Sequence, residues 1–334
     1  MSSTNKNIAD ETPTPFNEEG IQFAWDSTSL GTLKECPRKY DLSIVQGWRP
    51  KRKSVHLSFG THIHSAVERL KTYAQSNIPD EEALEAVVYL ALEESRGMEP
   101  HGNKSRETLI SSIIDYADHF NAMDATPTMA LTDGTPAVEL SFRIPLKIDE
   151  RRALIPAVTF CGHIDRIVDI GGFPYVTDIK TTRNTLGDNK STTKFFQGFN
   201  PDNQFSGYVF AAREVYNIPV RGVMIEGIQI AKTFTRFERA ISHRTSAQID
   251  EWREGLEYWV GQAAQFTRAN YWPMNERSCD KYGGCQFRPI CSRDPAVRQR
   301  FLETDYEIEK WNPLKPRTDS GADLAEPEAE DADE

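Results

Sequence analysis

The stretch CGHIDRIVDIGGFPYVTDIKTT, residues 161–182, decides how the chain is read. Two runs rich in β-branched and aromatic residues flank Gly171-Gly172. A glycine pair in that setting predicts a two-residue hairpin turn, which needs positive φ at both central positions and matches the twist of paired strands. Counting outward from the turn, Ile170 meets Phe173, and five residues further along each strand Asp165 meets Asp178. Opposed residues share a face of the sheet, and Lys180, two residues on, joins that face by alternation. Two carboxylates and an ammonium group are therefore expected to converge.

Adjacent carboxylates repel unless a cation lies between them. A few hard oxygen ligands, with positions left for water and phosphate, are the usual surroundings of Mg2+ or Mn2+. Such an ion acidifies bound water and stabilises charge developing on a phosphodiester. Lys180 would then orient the nucleophile or neutralise the phosphoryl oxygens. The same residues also fit an exposed hairpin with an Asp–Lys ion pair worth less than about 1 kcal/mol. The hairpin by itself leaves both readings open.

Outward from the hairpin, the apolar period predicts an α/β protein: one mixed central sheet flanked by helices, with a helical N-terminal region and a Cys-rich C-terminal segment. Ser27–Tyr40 reads as a short helix carrying Cys36. Helices are also expected from Gly60 to about Gln75, from Pro79-Asp80 onward, and over about 106–123. Strands are expected over 138–146, 157–170, 173–180, 220–231 and 233–241. Asn200-Pro201 supplies an N-cap and a proline at the first helical position for a helix burying Phe205, Val209, Ala212 and Tyr216. A long helix over 246–269 follows.

The 334 residues carry a formal net charge of −11. Residues 318–334 hold eight acids and no base, and residues 1–20 hold four acids against Lys6, so the body between them is neutral. The acidic balance therefore does not exclude a polyanionic partner. Residues 1–20 and 313–334 read as solvated, disordered ends, with one domain over 21–312. Arg49, Lys51, Arg52 and Lys53 form a basic cluster that fits a solvated loop or a phosphate contact. No apolar run is long enough to cross a bilayer, and the N-terminus has no secretory signal. A cytoplasmic location is expected, where five cysteines favour metal or cluster ligation over disulfides.

Gly162-His163-Ile164-Asp165 followed by Asp178-Ile179-Lys180 resembles motifs II and III of the PD-(D/E)XK nuclease superfamily, most closely its RecB-like branch. That branch includes CRISPR-associated RecB-like exonucleases and the AddB nuclease domain. Gly60-Thr61-His62-Ile63-His64, with Glu68 a turn later, resembles the branch's helix that supplies a metal-ligating histidine. Gln204 and Tyr208 match its Q-x-x-x-Y helix, and Ser27–Tyr40 with CPRKY its opening segment. The likeness runs from about residue 25 to residue 293. It implies a restriction-endonuclease-like core and a metal-dependent DNA nuclease, an exonuclease acting on single strands or duplex ends in recombination, repair or phage DNA metabolism. An accessory DNA-binding subunit that keeps the fold is the alternative.

The resemblance implies that His64, Asp165, Asp178 and the Ile179 carbonyl hold Mg2+ or Mn2+. It makes Lys180 the residue that positions water, and gives Gln204 and Tyr208 a part in the catalytic shell. His62, on another helix face, is not needed, and Glu139 lies where this branch can carry an acid. Cys36, Cys279, Cys285 and Cys291 correspond to cysteines that hold a [4Fe–4S] cluster in the branch. The spacing C-x5-C-x5-C departs from its commonest pattern, and structural Zn2+ is the alternative. Cys161 reads as a small buried residue. The chain has no G-x-x-x-x-G-K-[ST] motif, so a helicase or recombinase partner would be a separate chain.

Overall fold

Gly171 and Gly172 take φ values of 62° and 85°, and the hairpin pairs Ile170 with Phe173 through to Arg166 with Thr177. The turn and its register are those the glycine pair predicts. The structure is a computed structural model that describes residues 13–51, 55–76, 78–121, 126–281 and 284–315.

In chain order, β1 (Ala24–Trp25) leads into α1 (Ser27–Glu35) and α2 (Pro37–Tyr40), and β2 (Trp48–Pro50) precedes three helices. These are α3 (Val55–Gln75), α4 (Asp80–Glu94) and α5 (Arg106–Asn121). Strand β3 (Val138–Leu146), the short α6 (Glu150–Ala153), β4 (Val158–Ile170) and β5 (Phe173–Thr182) follow. Next come α7 (Asn189–Gln197), α8 (Asn203–Glu214), β6 (Gly222–Ile230), β7 (Thr235–His243) and α9 (Ser246–Ala269). Short elements close the described chain: α10 (Arg288–Cys291), α11 (Arg298–Asp305) and β8 (Tyr306–Ile308), the last pairing with β2.

The main sheet is mixed. β4 runs antiparallel to β3 and β5, β5 parallel to β6, and β6 antiparallel to β7. β1 lies parallel to β4 at Thr159 and Phe160. Because β3 already occupies one edge of β4 over 158–166, β1 and β5 must share the other edge. Residues 161–165 of that edge fall between them, with no described strand alongside. The sheet is therefore open just where Asp165 sits.

Each face of the sheet is covered. One core joins Phe160, Ile164, Val176 and Val223 to Leu30 and Leu33 of α1, Phe205 and Val209 of α8, and Leu256 and Val260 of α9. On the other side α3, α4 and α5 pack Ile63, Val67, Val87 and Ile113 against Ile228 and Ile230. All nine residues of β6 are buried, as a central strand with helices on both faces requires. No described helix is long and apolar enough to cross a membrane.

Four details differ from the sequence expectations. Cys36 is not inside a helix: it is extended (φ −159°, ψ 111°) at the break between α1 and α2, since Pro37 starts a new helix at its first position. The N-cap of α8 is Asp202, not Asn200; its carboxylate accepts from the Phe205 amide. Helix α7 has no counterpart among the expected elements. Residues 13–20 and 313–315, assigned to solvated ends by composition, pack on the body: Phe16 lies against the main core, and Leu314 is buried with Ala24 and Cys161. Residues 1–12 and 316–334, with Arg52 and Lys53 of the basic cluster, lie outside the described residues.

Gly261 lets α9 approach α6 closely. A β-carbon there would collide with the Arg152 carbonyl at α6, whereas one at Gly255 on the same helix would meet nothing. Gly261→Ala should therefore lower unfolding stability by about 1–3 kcal/mol, and Gly255→Ala should raise it by up to about 1 kcal/mol. Urea denaturation of the two variants beside the parent checks both signs.

Candidate active site

The β4–β5 ladder ends at Arg166–Thr177, one residue before the two aspartates. From there β5 follows β6, with Asp178 paired to Ile225, Ile179 to Glu226 and Lys180 to Gly227. The cleft at this point is lined by His64, Glu68, Glu139, Asp165, Asp178 and Ile179, among others. Sequence separation is large: α3 contributes the histidine, β3 one acid, and β4 and β5 one aspartate each.

Asp178 is 3% exposed and Lys180 16%, and the Lys180 Nζ lies 3.1 Å from Asp178 Oδ2. Lys180 also donates to Gln204 Oε1 at 3.0 Å, and Gln204 Nε2 donates to the Tyr208 hydroxyl oxygen at 3.0 Å. Gln204 and Tyr208 are one turn apart on α8, so a single helix face carries the amide and the phenol toward the lysine. This chain fixes the ammonium from two sides. Asp178 and Lys180 form an ion pair, and Lys180, Gln204 and Tyr208 continue from it as a hydrogen-bonded series.

His64 Nε2 is 2.7 Å from Asp165 Oδ2. The histidine thus reaches across from α3 to the aspartate on β4. His62 points elsewhere, 4.0 Å from Glu94 on α4, and burial is the main cause holding its pKa below the usual imidazole value. Glu139 lies at the β3 position opposite Asp165, between the Val138–Arg166 and Leu140–Ile164 pairs. Its φ of 51° is left-handed, a conformation that costs a non-glycine residue about 1–3 kcal/mol and clusters at functional sites. Three neighbouring strands, β3, β4 and β5, thereby each bring one carboxylate to the cleft.

Glu226 escaped the sequence reading. It is 3% exposed on β6, beside Ile179, and lines the same cleft. Arg166 reaches its Oε1 at 3.0 Å, Arg239 its Oε2 at 3.1 Å, and the Tyr116 hydroxyl donates to Oε2 at 3.1 Å. The signal was one charged residue inside the otherwise apolar or neutral strand GVMIEGIQI. Its partners come from β4, β7 and α5, which sequence spacing does not connect.

The donor set around the cleft, carboxylate oxygens and an imidazole, is of the kind a hard divalent cation takes. Among the described residues, no three His, Cys, Asp or Glu groups converge closely enough to hold a metal ion.

Cys36, Cys279, Cys285 and Cys291 are free thiols gathered in one corner. The Cys285 amide donates to the Cys279 carbonyl at 2.8 Å, and the Asn275 amide lies 3.4 Å from Cys36 Sγ. Burial pushes the thiols of Cys285 and Cys291 up, while nearby Lys39 opposes this at Cys285 and Arg38 and Arg298 at Cys291. The four do not form a ligand shell in this arrangement. Cys161 is buried 3.3 Å from the Trp25 carbonyl, and burial raises its pKa strongly.

The sequence model of the PD-(D/E)XK nuclease superfamily matches residues 25–292, and the chain belongs to that superfamily. A search of curated proteins gives no match. Among solved structures, one from Eubacterium rectale described as a "putative exonuclease" aligns over 84% of this chain and 92% of its own, at 11% identity and a TM-score of 0.44. Another, SSO0001, aligns over 72% and 84%, at 13% identity and a TM-score of 0.28.

Removing the Glu226 carboxylate would strand two guanidinium groups at the floor of the cleft. Glu226→Ala should cost about 3–5 kcal/mol of stability, and Glu226→Gln less, because the amide oxygen still accepts one hydrogen bond. Thermal and denaturant unfolding of the two variants tests the order.

Proposed function

We propose that the chain is a metal-dependent DNA nuclease, an exonuclease of the RecB-like branch that acts on single strands or duplex ends. The observation that carries this reading is that His64, paired with Asp165, and Asp178, paired with Lys180, line one cleft. Superfamily membership supports phosphodiester hydrolysis as the reaction. Exonucleolytic action, DNA as substrate and any separate helicase or recombinase partner rest on the motif resemblance.

Asp165, Asp178, the Ile179 carbonyl and His64 would hold Mg2+ or Mn2+. When bound, the ion supplies a more acidic water and stabilises charge on the phosphoryl oxygens. The protein's part is orientation. Lys180, held between Asp178 and Gln204, would place its ammonium group beside the attacking water or a phosphoryl oxygen. Tyr208 fixes Gln204 and so limits how far the ammonium can swing. The His64 contact sets the orientation of the Asp165 carboxylate.

On the motif resemblance we also propose that these four thiols, Cys36, Cys279, Cys285 and Cys291, take up a [4Fe–4S] cluster by drawing in from their present spacing, with zinc the competing occupant. Purified protein should be brown with visible absorbance that Cys36→Ala removes; a colourless protein containing stoichiometric zinc overturns the iron–sulfur assignment.

End-labelled oligonucleotides of defined polarity test the main proposal. Digestion should require Mg2+ or Mn2+ and stop with chelator. Lys180→Ala should cut more slowly by about 10²–10³-fold, the loss expected for one positioned charge-stabilising donor, while remaining folded. DNA binding with no cleavage in any metal would identify a non-catalytic accessory subunit instead.

A further inference from the structure

A second cleft lies at the other end of the central strands. It is lined by Arg213 at the end of α8, Arg221 just before β6, His243 and Arg244 at the end of β7, and Thr245 and Ser246 at the start of α9. No Asp or Glu lines it. Arg221 stands five residues before Glu226 on the same strand line, roughly 16 Å away at the rise of an extended chain.

Two of these guanidinium groups are fixed by neutral acceptors only. Arg244 is 3% exposed. It donates to the Phe199 and His243 carbonyls and to Asn200, Ser206 and Ser242 side chains. Arg213 donates to the Val220 and Arg244 carbonyls. Among the described residues, neither forms an ion pair. Burial lowers the pKa of both, with Asp202 opposing this at Arg244 from beyond hydrogen-bonding distance. Their hydrogen bonds explain how the loops are tied together. They do not explain why a buried guanidinium and a half-buried one line the same cleft with no acid among its lining residues, an arrangement that an anion would offset.

The exposed side of the cleft is built differently. The Arg221 guanidinium carbon lies 3.1 Å from the centroid of the Phe173 ring. Stacking holds a guanidinium flat and leaves its in-plane N–H fork for a planar or tetrahedral oxyanion. His243 packs against Tyr175, with ring centroids 5.9 Å apart. Helix α9 is 24 residues long, so its N-terminus adds a partial positive charge at Thr245 and Ser246.

We propose that this cleft binds a phosphate group, with Arg221 and His243 contacting it and buried Arg244 and half-buried Arg213 supplying positive charge behind them. The shared chemistry is a phosphate monoester or diester, whose source is either a nucleic-acid backbone or a free phosphate or nucleotide. This inference stands on a different cleft from the proposed nuclease site and does not depend on it.

The test uses the full chain with chelator present, so that no cleavage intervenes. Inorganic phosphate, titrated against chloride at equal ionic strength and followed by 31P line broadening, should bind the parent chain. Arg221→Ala should weaken binding by about tenfold, the effect of one charge-assisted hydrogen bond, and Arg221→Lys should recover part of it. Asp178→Asn should bind phosphate as the parent does, which separates this cleft from the acidic one. In a second arm, anisotropy of a fluorescent 20-mer single strand is measured against salt. A salt slope reduced by about 0.7 in Arg221→Ala marks the backbone as the source; an unchanged slope with weakened phosphate binding marks a free phosphate or nucleotide. Folded Arg221→Ala and Arg221→Glu chains that bind phosphate like the parent overturn the proposal.

Discussion

The open edge of β4 is the constraint on which the site depends. β3 fills one edge of that strand, and β1 and β5 divide the other, touching only 159–160 and 166–170. β5 pairs with β4 only as far as Thr177, while its other edge runs on in parallel with β6 over Val176–Thr182. The two strands therefore part at Asp165 and Asp178. The side-chain period of a strand is two, so a one-residue slip at the glycine turn would carry both acids to the wrong face. Buried Ile167, Val168 and Val176 in the paired segment oppose such a slip.

Charge arrangement beneath the opening follows from the same topology. Glu226 reaches the cleft floor from β6, the most enclosed strand, and two arginines from its neighbours in space compensate it. Asp178 lies next to this pair and is itself almost fully buried. Removing an ion from water costs several kcal/mol unless a partner and hydrogen bonds replace the water. Lys180 meets that need at Asp178, and its second bond to Gln204 places the ammonium rather than merely neutralising the acid.

Local chemistry made much of this legible. The glycine pair and alternating residues gave the hairpin register, and the capping box of Thr245 and Gln248 agrees with the start expected for α9. Asn200 reads as the N-cap because the proline after it resembles a first helical position, yet Asp202, two residues on, caps the helix. Cys36 was placed inside a helix because apolar periodicity crosses Pro37, although proline starts a new helix there. Long-range charge was the real blind spot. Glu226 acquires its meaning from Arg166, Arg239 and Tyr116, and the basic cleft from residues between 213 and 246, all brought together only by the sheet order.

The charge around the acidic cleft gives a physical reason for the proposed metal dependence. Glu226 is offset by its two arginines. Glu68, Glu139, Asp165 and Asp178 remain, against the ammonium groups of Lys71, which lines the cleft, and Lys180, which pairs with Asp178. The second arginine leaves one positive charge over, so with His64 neutral the group as a whole, five carboxylates against two ammonium and two guanidinium groups, keeps an excess of one negative charge. Acid in excess repels a phosphodiester at close range, where low dielectric strengthens the effect. In the proposed nuclease a divalent cation between the carboxylates and the incoming phosphate would more than offset that charge. Lys180, held beside Asp178, would then act on a phosphate whose approach the ion had allowed, which would couple substrate binding to cleavage.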